Sequence, residues 1–570
     1  MMNRWVWFFI CALLGAVMLV CGWLMPIHLR ATDASVIARA GSTTPSLVER
    51  GLELASNQQL GAAQLLSQAA QAESLPNREK LQSAINSSAK QSPIAIALGA
   101  PSPHLESLPN LKLPNTGSEP FTEFVVRLEN RNKVLELLRS SSNPLVQELL
   151  RCRALTNTVL FPPSSSASGQ AFDAAISVTG LLSEEGRLTT SLRETLLTLA
   201  TEANRGGNPQ RLEEALLDLM SLGQRFNWSQ LGAFVSHIED ANTLRLLANQ
   251  VRKAGDQLPM LFSAVEISRQ PSAVSKYLMN FSQTGLKDLG ASLRFNAGGV
   301  NELLQRNQRL YHSDARSHLA QYNPFGAFFD FTTTYCWRMP WLAMAIKWFF
   351  YLAGGFLVSA AVYSMRPAVS ALEQPLQVRG FHVARKILFA LGFLLVVLVL
   401  SEPFLAQDSQ KVELPFRLHL PMAGSVAPAG ITQAHPSLMN PSLIIPLLLF
   451  FVIQGLIYIA CLVKLAEIRR QNVPPRLKLR LLENEEHLFD AGLYLGFAGT
   501  IVSFILASLV VFKPGLMVAY SSTAFGIVFV SVFKIFHLRP ARRKMLLAAE
   551  ADAQAETVAS TPARSFATTP

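Results

Sequence analysis

The sequence predicts an all-α fold: a polytopic helical membrane protein of about six transmembrane helices with a large exported α-helical domain, solenoid-like or a bundle. Three observations predict it. Half of the 570 residues are hydrophobic, only 16% are charged and the mean hydropathy is +0.26, too apolar for an ordinary soluble chain. Charge-poor apolar runs of about 20 residues, the length that crosses a hydrocarbon core, recur at both ends. Between them, residues 28–337 carry helical periodicity and nearly balanced charge, 28 Lys and Arg against 27 Asp and Glu.

The apolar runs fall near 5–25, 341–365, 387–406, 442–463, 491–512 and 515–534. The first stays uncharged from Arg4 to Leu24, longer than a signal-peptide core, and so reads as an uncleaved anchor. Cys21 follows Val20 rather than a small residue, against a lipoprotein cleavage site. Lys347 lies near one end of the second run, within snorkelling reach of an interface, and Glu402 and Pro403 interrupt the third. One set of short loops carries fifteen basic residues (Arg366, Arg379, Arg385, Lys386; Lys464 to Arg480; Lys534 to Lys544), whereas the alternate set has Lys411, Arg417 and Lys513. Fifteen against three puts both termini in the cytoplasm and exports the middle region. The basic excess thus speaks for orientation, not for nucleic-acid binding.

Within the exported region RLEEALLDLMSLGQRF, 211–226, is representative. Leu212, Leu216, Leu217, Met220 and Phe226 recur near helical spacing, with Glu213, Glu214 and Asp218 mostly opposite, as in an amphipathic helix facing a helical core. Comparable segments follow every 15 to 20 residues, which suits stacked helical pairs or an irregular bundle. The expected organisation is an anchor (1–27), a small helical unit (28–90), a proline-rich linker (91–118), an exported helical domain (119–337), two transmembrane helices with loops (338–439), a three-helix membrane module (440–548) and a disordered cytoplasmic tail (549–570).

Motifs for chemistry are absent. No phosphate-cradling loop, nucleophile elbow or dinucleotide fingerprint occurs, so no enzyme, cofactor or metal is expected. His312 and His318, beside Asp314, would point about 120° apart on a helix and share no metal face. Cys152 and Cys336 show no metal-ligand spacing and nothing that makes them neighbours. Asp490, at the entrance of the fifth run, and Glu402, at the outer end of the third, are the intramembrane-acid candidates.

The last two runs share a pattern. Gly492, Gly496, Gly499, Thr500, Ser503 and Ala507 form one stripe of small and hydroxyl side chains, and Gly515, Ala519, Ser522, Thr523 and Gly526 form another. Such stripes pack membrane helices closely, which makes Gly492, Gly496, Gly499, Ala519 and Gly526 helix-packing candidates. LGFAGTIVSFI, 495–505, also resembles the Leu-Gly-x-x-Gly-Thr segment of the MotA/TolQ/ExbB proton-channel family, and AYSSTAFGIVFVSVF, 519–533, resembles that family's Ala-Leu-x-x-Thr-Ala-x-Gly-Leu helix. The resemblance covers about 440–548, in the family's order and topology.

What this resemblance implies is a bacterial inner-membrane component of an ion-driven envelope transport or energy-transduction complex. It would be a homo-oligomer in lipid, with a single-helix ExbD/TolR-like partner supplying the titrating carboxylate and a periplasmic protein partner for the exported domain. Thr500 and Thr523 would line the pore, with Ser503 and Ser522 beside them. Three departures accompany it: a cytoplasmic loop of about 22 residues, Val518 where the family often has an acid, and a tight outer turn. Counted from that turn at about 1.5 Å per residue, Thr500 would lie roughly 20 Å deep and Thr523 roughly 12 Å. The alternative expectation is a non-conducting membrane scaffold whose helical domain binds a periplasmic partner.

Overall fold

The computed structural model describes residues 2–88, 93–114, 117–320, 322, 325–365, 381–403, 441–508 and 516–560. Apart from one pair of three-residue strands the regular structure is helical, and the chain divides into two compact units, 31–338 and 1–30 with 339–570.

In the unit 31–338, local chemistry starts the helices. Ser46 and Glu49 form a capping box on Leu47–Ser56, Asn227 and Gln230 another on Trp228–Val235, and Asp240 caps Ala241–Ala254. Strand β1 (Ala31–Asp33) pairs in parallel with β2 (Arg309–Tyr311), joining the two ends of the unit. Helix Ala34–Gly41 packs on Asn296–Arg306, and Leu60–Ala72 packs on Leu258–Ser268. A solenoid's repeats touch only their neighbours, so this is a closed bundle. One continuous core runs from Ile37 through Phe121, Phe172, Trp228 and Phe262 to Leu304. The proline-rich stretch contributes Leu98 and Leu105 to that core, and Ser102 caps the short helix Pro103–Glu106.

Helix Gln210–Gly223 departs from the simple amphipathic reading. It packs against both Gln170–Glu184 and Ala241–Ala254, so the side assigned to solvent is partly covered. Glu213 is fully buried and accepts the backbone N–H groups of Val159 and Leu160 at 2.9 Å, while buried Asp218 pairs with Arg252 and Leu217 is exposed. A carboxylate that receives such donors is stable without water.

In the other unit four helices among the described residues are long and apolar enough to cross a membrane: Trp5–Leu24, Pro340–Ser364, Phe450–Arg470 and Tyr520–Gln554. The third and fifth runs of the sequence contain shorter apolar helices, Lys386–Leu398 and Ala491–Ile501, among the described residues. The first helix meets Pro340–Ser364 through glycines. A Cβ at Gly15 would lie 3.3 Å from the Gly354 carbonyl oxygen, and one at Gly22 only 2.7 Å from the Tyr351 ring. After Leu516–Phe533 the chain passes through a π-helical turn, Lys534–Leu538, into Arg539–Ser560. The wider turn accommodates Pro540, which lacks an N–H, so the helix continues past it. The basic segment after the fourth run forms helix Pro475–Asn484, which packs on Arg539–Ser560 in a small cluster containing Leu482, Phe489, Phe533 and Met545. Arg366, Arg379, Lys411, Arg417, the tip at Lys513 to Gly515 and the last ten residues lie outside the described residues.

Candidate functional site

Helices Ala491–Ser508 and Leu516–Phe533 face each other along the two small-residue stripes. A Cβ at Gly496 would fall 2.8 Å from the Ser522 carbonyl oxygen, and one at Gly526 2.7 Å from that of Gly492. Only glycine permits this approach. Gly499 lies against Ser522, whose side chain is buried. The side chains of Ser503 and Ala519 lie outside the described residues.

The close approach brings Thr500 and Thr523 together. Their hydroxyl oxygens are 2.6 Å apart, and each lies within hydrogen-bond reach of the Gly496 carbonyl oxygen, at 3.1 and 3.2 Å. Two hydroxyls and one carbonyl thus form a closed triangle. The two threonines share one level, contrary to the offset expected from the turn.

Gln454, which no motif marked, completes the seam from helix Pro441–Arg470. Its Nε2 donates to the Gly492 carbonyl at 3.0 Å, and its buried Oε1 has no hydrogen-bond partner among the described residues. The available signal was a lone amide in an otherwise apolar run. Asp490 is paired rather than isolated: Lys534 of the π-helical turn lies 2.7 Å from it.

Glu402 is paired as well, in a second polar centre formed by other helices. Its Oε1 lies 2.8 Å from Lys347 Nζ, and its Oε2 accepts the Leu29 N–H at 2.7 Å. Lys347 Nζ also donates to the Ile27 carbonyl at 2.6 Å and lies 3.4 Å from His28 Nδ1. The Lys347 and Glu402 side chains are each 1% exposed. Lys347 therefore does not snorkel, because a carboxylate, a carbonyl and an imidazole meet its donors inside the unit. His28 had no sequence signal.

The remaining sequence candidates carry no assembled chemistry. His312 and Asp314 are exposed and 3.7 Å apart, and Cys152 and Cys336 are buried and not joined in a disulfide. Among the described residues no three His, Cys, Asp or Glu side chains converge as metal ligands. No family model, curated protein or solved structure matches the chain.

Proposed function

We propose that the chain is a non-conducting membrane scaffold that presents the helical unit 31–338 to a protein partner. The observation that supports this reading best is the closed Thr500, Thr523 and Gly496 triangle, in which the hydroxyls satisfy each other inside one chain. Buried hydroxyls used this way fasten two helices and need no ion or partner carboxylate. The loop-charge asymmetry supports an inner-membrane location with cytoplasmic termini and a periplasmic helical unit. A closed bundle without catalytic motifs suits an interaction surface.

A second reading, an ion-driven transduction component of the MotA/TolQ/ExbB type, is favoured by one finding: the two threonines share a level, as residues lining one pore would. It requires a ring of subunits and a single-helix partner. Ion flux through the reconstituted protein, with and without a candidate partner, separates the two. The scaffold reading expects no flux in wild type or in Thr500→Val/Thr523→Val. Flux that the double variant loses while its oligomer persists would replace it with the channel reading.

A further inference from the structure

We propose that the groove between helices Gln210–Gly223 and Ala241–Ala254 seats an acidic, apolar segment of a partner protein. This rests on the scaffold reading and names the place where the helical unit takes its partner. The groove holds a cavity of about 640 Å³, within the roughly 300–1,000 Å³ of sites that enclose a ligand. Its apolar wall includes Phe161, Leu217 and Met220, and its polar wall carries Arg225, Arg245 and Arg252 against Glu214 and Asp218. Leu217 is exposed, although the other large apolar residues of its helix are buried. It stands one turn beyond Glu213, whose carboxylate holds the N–H groups of Val159 and Leu160, and both of these side chains are exposed as well. Apolar surface thus continues past the cavity along the segment that leads into Phe161, which suits a length of chain better than a compact small molecule.

The charges select the sign of the visitor. Both carboxylates are already answered inside the groove. Glu214 accepts from Arg245 Nη1 through Oε2 and from Gln210 Nε2 through Oε1, each at 3.2 Å, and Asp218 pairs with Arg252. Arg252 is fixed further by donating to Ser221 at 2.8 Å and to Asn249 at 2.5 Å. Arg225, by contrast, donates among the described residues only to the Arg252 carbonyl at 3.3 Å, and Arg245 only to Glu214. Both side chains are exposed. Two guanidinium groups therefore keep most of their donors turned to water, where a partner carboxylate can replace it in the two-pronged geometry that suits arginine. A basic segment would find only carboxylates already paired. An apolar anchor site rimmed by arginines is also the pattern of protein interfaces, the anchor supplying affinity and the charges selectivity.

Panning a displayed random peptide library on the full chain in lipid nanodiscs, with empty nanodiscs subtracted, tests the groove. Enriched peptides should combine a large apolar side chain with neighbouring Asp or Glu. Their affinity, read by fluorescence anisotropy on labelled synthetic copies, should weaken about tenfold or more in Leu217→Asn and in Arg225→Gln/Arg245→Gln. Added salt should weaken binding in wild type and much less in the arginine variant. The substituted side chains are exposed, so both variants should keep the wild-type melting temperature. No enrichment, enriched peptides without acidic residues, or affinities that neither variant changes would overturn the groove as the site and leave the scaffold reading standing, since that reading falls instead to ion flux. Binding of decanoate at the groove with no peptide enriched would assign it to a small carboxylic acid and overturn the proposal as well.

Discussion

The hairpin seam and the Lys347–Glu402 pair solve one problem in two ways. Both bury polar groups among apolar helices, but the seam uses neutral hydroxyls, a carbonyl and glycine contacts, whereas the second uses a full ion pair with backbone partners. The difference lies in what happens when one partner is lost. A neutral hydroxyl can be removed at small cost; a buried charge left alone cannot. Glu402→Ala or Lys347→Met alone should therefore lower stability by about 3–5 kcal/mol, read as a denaturation midpoint in detergent. Replacing both by methionine should restore most of that loss, since the pair's desolvation cost disappears with the pair. A double variant as unstable as either single one would remove the contrast.

Glycine contacts in the seam come next in size. At Gly526 a Cβ would lie 2.7 Å from the Gly492 carbonyl oxygen, so two helix backbones must separate to admit any side chain. Gly526→Val should cost roughly 1–3 kcal/mol and weaken the hairpin, measured as faster proteolysis between the two helices. The same change at Gly392, where nothing lies within 4 Å of the added Cβ, should be near neutral by comparison.

These contrasts show where the sequence was legible. The stripes of Gly492, Gly496, Thr500, Ser522 and Gly526 followed from a three-to-four spacing, because helical geometry alone puts them on one face. Their facing partner Gln454 and the cluster of Lys347, Glu402 and His28 did not, because its members are hundreds of residues apart at the extremes and a lone ion in an apolar run looks the same whether it snorkels or pairs. The threonine depths were misjudged because counting residues from an assumed turn does not fix the register of two facing helices, whereas the hydroxyl contact does. In the unit 31–338 the alternation of apolar and acidic residues marked helices correctly, but it could not distinguish an acid facing water from Glu213, which faces backbone donors.

A third buried carboxylate extends the comparison into the unit 31–338. Glu266 is 2% exposed and pairs with Arg50 at 2.6 Å and His237 at 3.2 Å. Burial pushes its carboxyl up, but the hydrogen bond and charge of His237, then those of Arg50, outweigh burial and hold it below the ordinary carboxylate value. Unfolded, the carboxyl takes its proton near about pH 4.3; folded, it resists to lower pH. The stability it supplies is therefore complete above that value and is lost as the pH falls through the folded one. Glu266→Gln should lower stability by about 1–3 kcal/mol at pH 7 and flatten the acid limb of the stability profile. An unchanged acid limb would mean that this pair contributes no proton linkage.

The smallest effect expected lies at the threonines themselves. Thr500→Val or Thr523→Val keeps the side-chain shape and removes one corner of the triangle, yet the Gly496 carbonyl still has its remaining hydroxyl neighbour. Each change should cost only about 0.6 kcal/mol, the average for a hydrogen bond between membrane helices. The double variant should cost less than the sum, because either single change already removes the shared hydroxyl contact. A loss several times larger, or a coupling between the two sites well above the single effects, would mean that the triangle holds something besides the hairpin, as a pore or a partner carboxylate would require. Measured as a double-mutant cycle on the assembled protein, that coupling tests the scaffold reading at the residues where the channel reading makes its strongest demand.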